Sequence, residues 1–548
     1  MAVVVASLAA GGLVFWRLVL TRQAPGFDEA GHALQGALIA SDIREGDLLA
    51  LAFDTYSQVY WPPLHSWLLG GAFLLTGPSM EVARGVSVVS YVLLAPILFL
   101  LARNIAPRQG NVAGCLAAAL ALTSPGVIEY AAMSMLELPG ILAISVTMLI
   151  YCLLERTPGA SDRAHALLGL SVVVTYLVKT HFGILVGIAI VLAKLYAVRF
   201  RLHRLLTRRN LYAVLPLVLF LAVWFAWPLK IKWTWNALVN QPTRDSAGPG
   251  LVYTKALDEL SGSWWMSIFL WTGLFAAWKV RARPGVAVVA LLALTLFVIG
   301  QIHHTRATRH VLPMLPSMFV LTGVAGASAW AWLRAREPGG TALAVAVSVC
   351  IALLHAQALA RDAWHGSLES RHPVDLLDHV SRSARSRVNA PYLTLVTDSA
   401  WPGPPVFDWI LVSEGLLPVT QSSTALDPAL ERTLRWRLRD ARLPRRIRAS
   451  LRQLFSRYDR RSLARSLHLN PGVSQSRYEQ SLANTLRKDP TRTIIVVIGS
   501  ADTTGPAIEF IAHEMAENGF REVSVRDFAL LCTQVREYRH PMARARFP

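Results

Sequence analysis

Residues able to carry chemistry are sparse in this chain, and they gather at the ends of apolar runs. Asp28 and Glu29 lie in GFDEAGHALQG (26–36), about one turn after the first such run. Glu137 stands in MLELP, Lys179 and His181 separate two apolar runs in LVKTHFGILV, and His303, His304, Arg306, Arg309 and His310 crowd one short loop. Most have a structural reading beside a chemical one. An acid at a helix start caps exposed amides and suits the positive end of the dipole, which serves the Asp28–Glu29 pair and also Glu137 beside Pro139. A lysine at the bilayer edge can snorkel to the headgroups, but a lysine and a histidine between apolar runs are costly to place there without function. Arginine grips phosphate oxygens in a bidentate way, so Arg306 and Arg309 suit a phosphate clamp, with a headgroup-facing basic loop as the alternative. His303 and His304 invite a zinc site but bring no defined ligand set.

The elements that must position these residues are set by composition. Of 548 residues, 53% are hydrophobic and only 16% charged, and the mean hydropathy is positive; a chain of this kind is a multispanning membrane protein of more than one domain. The apolar surplus is confined to residues 1–360, whereas 361–548 have globular composition enriched in arginine. Two domains follow: a transmembrane part, 1–360, and a soluble part, 361–548. The net charge of +19 has a simpler source than nucleic acid, because cytoplasmic loops of membrane proteins collect Lys and Arg. Cys115, Cys152 and Cys350 fall in apolar runs and Cys532 stands alone, which gives neither a disulfide framework nor a CxxC metal pair.

A helix crosses a bilayer with about 20 apolar residues. Runs near that length occupy 2–20, 85–103, 112–129, 137–154, 181–198, 211–229, 285–302, 311–333 and 341–360, and shorter ones 165–178 and 264–279, for eleven spans in all. The first lacks the basic leader of a signal peptide and reads as a retained span. With eleven spans, the basic loops carrying Arg103, Arg156, Arg163, Arg199 to Arg209, Lys279 to Arg283, and Arg334 all fall on one side, the cytoplasmic one. Loops 21–84, 130–136, 230–263 and 303–310 and the soluble part then face outward. In the first outer loop, 28–40 and 45–53 have the mixed polarity of helices lying along the membrane surface, and YWPPLHSWLLG opens the next helix through its double proline.

The soluble part contains two short runs rich in β-branched residues, YLTLVTDS (392–399) and TRTIIVVIGS (491–500), which read as buried strands of an α/β unit. AIEFIAHEMAENGF reads as a helix stopped by Gly519. Residues 432–465 hold thirteen arginines, suited to anionic headgroups or a phosphate-rich glycolipid, or simply to a solvated helical pair.

GFDEAGHALQGALIASD followed by YWPPLHSWLLGGAFLLTGPSMEVAR resembles the start of membrane glycosyltransferases of the GT-C fold, in particular protein O-mannosyltransferases, lipid A aminoarabinose transferases and rhizobial lipopolysaccharide glycosyltransferases. SPGVIEYAAMSMLELPGIL (124–142), LVKTHFGILV (177–186) and TRHVLPMLPSMFVLTGVAG (308–326) agree in order, so the resemblance covers most of residues 20–330. It implies an inverting transfer of a sugar from a polyprenyl-phosphate donor to a lipid, glycan or protein acceptor on the extracytoplasmic side. It also implies roles: Asp28, with Glu29, as the base that takes the acceptor's proton; Glu137 and His65 in the vicinity of the acceptor or of a metal; Lys179, Arg306 and Arg309 at the donor phosphate. Whether a divalent metal takes part stays open, with His303 and His304 as candidates.

Two places depart from the families' pattern. Their Glu-Lys before the double proline is Tyr60 and Trp61 here, and the basic-aromatic pair after the acidic pair is Gly31 and His32, which points to a different acceptor. A transporter or flippase is the competing class, but it would show internal repeats and broken helices at the midplane; the sequence has no repeat, and its acids lie in loops. An inactive GT-C-like scaffold is the third reading, opposed by the presence of Asp28 and Glu137. The Arg- and Ala-rich usage points to a GC-rich bacterial genome, and so to a plasma membrane with the site outside the cytoplasm; an endomembrane lumen is the topological equivalent.

Overall fold

A bilayer core offers no water to backbone amides, so apolar runs cross it as helices. The computed structural model describes residues 1–20, 25–58, 61–106, 109–226, 283–298, 308–335, 393–397, 404–413, 464–468, 493–498, 515–517, 519–528 and 533–539, with single positions at 230, 231, 234, 235, 257, 260, 270, 271, 273, 379 and 513. In chain order the helices are α1 (Ala2–Val14, continued as a π turn over Phe15–Val19), α2 (Phe27–Glu45), α3 (Leu48–Ser57), α4 (Pro63–Thr76), α5 (Met80–Ile105), α6 (Gly110–Thr123), α7 (Pro125–Ala131), α8 (Glu137–Arg156), α9 (Asp162–Val178), α10 (Thr180–Ala197), α11 (Arg208–Trp224), α12 (Arg283–Phe297), α13 (Met314–Arg334) and α14 (Pro404–Ser413). The strands are β1 (Leu393–Thr397), β2 (Ala464–His468), β3 (Thr493–Ile498), β4 (Arg521–Phe528) and β5 (Thr533–Arg539).

Among the described residues five helices are long and apolar enough to cross a membrane, six if the bent pair α6–α7 counts as one. The expected runs 2–20, 85–103, 137–154, 181–198 and 311–333 each coincide with one of the five. Runs 165–178, 211–229 and 285–302 are helical as α9, α11 and α12, each shorter than the five. Runs 264–279 and 341–360 lie largely or wholly outside the described residues. The run 112–129 differs from the expectation of one straight span: it bends by 59° between α6 and α7. Pro125 disfavours a helical conformation at Ser124 and supplies no amide to continue the ladder; it opens α7 instead, and the Ser124 hydroxyl donates to the carbonyl of Leu260 at 2.9 Å.

The chain divides into two compact units. The first comprises Met1–Leu20, Gln58–His65 and Arg84–Gly366, the second Thr21–Ser57, Ser66–Ala83 and Ser367–Pro548. In the first, α13 packs on α6, α9 lies against α8, α10 and α11, and α12 packs on α10. Small residues permit the close approaches, as lipid-embedded helices favour: Gly169 of α9 meets the backbone of Ala213 in α11, and a Cβ on Gly114 of α6 would fall 2.7 Å from the carbonyl oxygen of Phe99 in α5.

In the second unit α2 packs against α3 and α14, with Phe73 and Trp409 rings 6.0 Å apart. Gly36 of α2 and Gly70 of α4 face one another's helices: a Cβ at Gly36 would sit 2.5 Å from Leu69 Cβ, and one at Gly70 2.8 Å from Ile39 Cγ2. The sheet has the order β2-β1-β3-β5-β4, parallel from β2 to β3 and antiparallel from β3 to β4. β1 and β3 are the two expected strands. β2, β4 and β5 are additional, and each carries charges within the strand. Gly519, at φ 79, ends the helical residues before β4: Phe520 N–H bonds to the Met515 carbonyl and Gly519 N–H to that of Ala516, the Schellman closure that the stop signal predicts.

Candidate active site

The acidic pair opens α2. Gly26 is the residue before the helix, and the Glu29 carboxylate reaches back to accept its N–H at 2.8 Å, half of a capping box. Glu29 is buried, whereas Asp28 is half-buried in the same first turn, where the dipole favours negative charge. Glu29 thus makes the capping contact. His32, four residues after Asp28 and on the same helix face, is buried; the D-x-x-x-H spacing was its only sequence signal.

A second group forms within the first unit. Glu137 begins α8, and Lys179 occupies the corner between α9 and α10, ending one helix and preceding the other with extended backbone, φ −153 and ψ 115. Lys179 Nζ donates to Glu137 Oε1 at 2.6 Å, with 8% and 2% of the two residues exposed. What brings them together is packing one turn further on. A Cβ at Gly140 would lie 2.6 Å from Phe182 Cδ2, so the glycine admits the ring and lets α8 and α10 approach. The ammonium of Lys179 stands 4.9 Å from the centre of the same ring, within cation–π range. Glu137 Oε2 is buried and has no hydrogen-bond partner among the described residues, a state that natural structures rarely leave without a role.

Phe182 also touches the next pair. The His181 ring packs edge-on at 4.7 Å from it and lies 5.8 Å from the ring of His310. His310 and Arg309 belong to a single 3-10 turn, Thr308–Val311, ahead of α13, and both are half-buried. Arg306, His303 and His304 lie outside the described residues, as does Tyr60. Among the described residues no three His, Cys, Asp or Glu side chains converge as metal ligands.

His65 follows the double proline in the first turn of α4. It is fully buried, and desolvation lowers its pKa to about 4, so the imidazole is neutral near pH 7. Lys230 is a buried cation that sequence reasoning did not single out. Its Nζ donates to the carbonyl of Gln58 at 2.7 Å and stands 4.0 Å above the Trp224 ring. Burial alone would bring its pKa to about 7; the carbonyl and the ring favour the ammonium form and act in the opposite sense.

Residues 61–227, which contain His65, Glu137 and Lys179 but not Asp28, match the family model described as dolichyl-phosphate-mannose-protein mannosyltransferase. No curated protein matches the sequence. Among solved structures, ArnT from Cupriavidus metallidurans bound to undecaprenyl phosphate is similar with TM-score 0.59 and 15% identity, over 98% of this chain and 97% of that one. The apo state of the same protein gives 0.56 and 16%, over the same shares. The archaeal oligosaccharyltransferase AglB from Archaeoglobus fulgidus, in complex with an inhibitory peptide and a dolichol-phosphate, gives 0.50 and 13%, over 78% of this chain and 64% of that one. These likenesses lead to one conclusion: the chain has the GT-C fold of membrane glycosyltransferases.

Proposed function

We propose that this chain is an inverting glycosyltransferase that moves a sugar from a polyprenyl-phosphate donor to an acceptor on the extracytoplasmic side of the membrane. The observation that carries the reading is the buried Lys179–Glu137 pair in a GT-C fold, with one carboxylate oxygen left for a ligand. Two structures similar in fold hold a lipid phosphate, undecaprenyl phosphate in ArnT and dolichol-phosphate in AglB, which supports a lipid-phosphate donor here.

Each group then has a task. Displacement at the anomeric carbon releases the polyprenyl phosphate, and the ammonium of Lys179 stabilises charge developing on the departing oxygen. Arg309, and Arg306 with it, bind phosphate oxygens. The acceptor's hydroxyl attacks from the opposite face of the sugar, which inverts the centre, and Asp28 takes its proton. Glu137 Oε2 accepts a hydrogen bond from the bound substrate, which fills its unused acceptor capacity. Glu29 holds the first turn of α2, and with it the position of Asp28.

The test is transfer of radiolabelled sugar by purified full-length protein from a panel of polyprenyl-phosphate sugars, with the anomeric configuration of the product read by NMR. An inverted product from at least one donor is expected. A product with retained configuration contradicts the single-displacement chemistry, and transfer from nucleotide sugars in preference to lipid-linked ones contradicts the donor class.

A further inference from the structure

A cavity of about 880 Å³ lies where the C-terminal ends of α5, α8 and α13 meet the N-terminal end of α6. Its walls carry Arg103, Arg156 and Arg334, one from each of the three C-terminal ends, and no carboxylate among the described residues. None of the three arginines forms an ion pair among the described residues. Arg156 donates to Asn104 Oδ1 at 3.2 Å. The nearby carboxylate of Glu155 is engaged by Lys194 at 3.0 Å. Three cations thus face one concave space to which the described residues supply no anion.

The backbone adds to this. Gln109 precedes α6 without capping it through its side chain, so amides of the first turn face the same space, where anions are favoured. The approach depends on Gly110: a Cβ there would meet the carbonyl oxygen of Arg103 at 2.6 Å.

The cavity is separate from the Lys179–Glu137 pair. Arg156 ends the 20-residue helix that Glu137 begins, which at 1.5 Å per residue places the two about 30 Å apart, the thickness of the hydrocarbon core. On the sidedness of the basic loops this is the cytoplasmic face. We propose that the cavity binds the phosphate of an anionic membrane lipid at the face opposite the Lys179–Glu137 pair. Basic pockets between helices on this side are suited to such headgroups. A lipid, in place of free phosphate, fits the apolar features: Leu100 lines the cavity and continues an exposed stripe with Val89 and Leu93 on one side of α5, along which an acyl chain lies, and Trp330 stands at the wall as interfacial indoles do.

The experiment titrates phosphatidylglycerol, or phosphatidylcholine as the reference lipid, into full-length protein held in non-ionic detergent micelles and counts bound lipid by native mass spectrometry, with inorganic phosphate as competitor. The wild type binds phosphatidylglycerol over phosphatidylcholine. At about fivefold per arginine, the triple variant Arg103→Gln, Arg156→Gln, Arg334→Gln loses on the order of a hundredfold in affinity. The corresponding triple Arg→Lys variant keeps most of the binding, and Arg201→Gln with Arg204→Gln, on the same face outside the cavity, leaves it unchanged. The proposal is overturned if the glutamine triple binds like wild type, if the lysine triple loses as much as the glutamine triple, if the Arg201 and Arg204 control loses as much, or if equimolar inorganic phosphate displaces the lipid.

Discussion

Replacing Lys179 by methionine leaves the Glu137 carboxylate buried without its ammonium. At the 2.6 Å separation of the pair, an effective dielectric of about 20 gives an attraction of about 6 kcal/mol. That gain is offset by several kcal/mol of desolvation for each ion, so the intact pair adds little net stability, while removal of one partner strands a charge at a cost of about 3–5 kcal/mol. Lys179→Met and Glu137→Gln should each lower stability by that amount. The double variant, with no charge left to strand, should return to within about 1–2 kcal/mol of wild type. Sugar transfer should not return with it, because the cation at the leaving oxygen is still absent; a loss of at least a hundredfold is expected for a donor of this kind. Unfolding in detergent and transfer at matched protein levels read the two effects separately. Single variants as stable as wild type would show that the pair is not a desolvated one, and a double variant that transfers at the wild-type rate would refute the role at the phosphate.

Loss of the cap by Glu29→Ala, which removes the acceptor for Gly26 N–H, should cost about 1 kcal/mol in thermal unfolding; unchanged stability with abolished transfer would instead make Glu29 a chemical group. Gly36→Val should cost at least about 1–3 kcal/mol, since its Cβ falls 2.5 Å from Leu69 Cβ, and an unfolding curve like the wild type's would contradict the helix approach. His65 has a folded pKa of about 4 against 6.5 for the free side chain, so the unfolded state binds more protons between these values. The stability tied to its neutral form is complete above about pH 6.5 and drains away as pH falls toward 4, by about 3 kcal/mol. His65→Gln should flatten this acid limb, and identical limbs in the two proteins would rule it out.

The helical part of the fold was legible because the bilayer fixes how long an apolar run must be, and α5, α8, α10 and α13 match their runs within a few residues. β1 and β3 were legible as β-branched runs, and each lies between two neighbouring strands of the sheet. β4 and β5, REVSVRDF and TQVREYR, were not, because their alternation is diluted by charged residues on a pair that ends at the sheet edge. The bend at Ser124 was written in the Ser-Pro-Gly of that run but hidden by its uninterrupted hydropathy. Glu137 and Lys179 could each be singled out from type and place. Their partners could not: Glu137 and Lys179 are 42 residues apart and meet only because Gly140 accepts the Phe182 ring. The joint spacing, Glu-x-x-Gly against Lys-x-x-Phe, becomes a signal only once the two helices are known to pack. His181 and His310 are likewise joined by tertiary packing alone. For Glu29 the plain capping role, readable from Gly26-x-x-Glu29, is the one its hydrogen bond supports.

The most direct test of the account is transfer of radiolabelled sugar from polyprenyl-phosphate donors by wild type and by Asp28→Asn, in membranes with matched protein levels and matched unfolding temperatures. Asparagine keeps the shape and the place at the start of α2 but is a far weaker proton acceptor. The account predicts robust transfer by wild type and a loss of about 10²–10⁴-fold in the variant. Transfer by Asp28→Asn at the wild-type rate would contradict it.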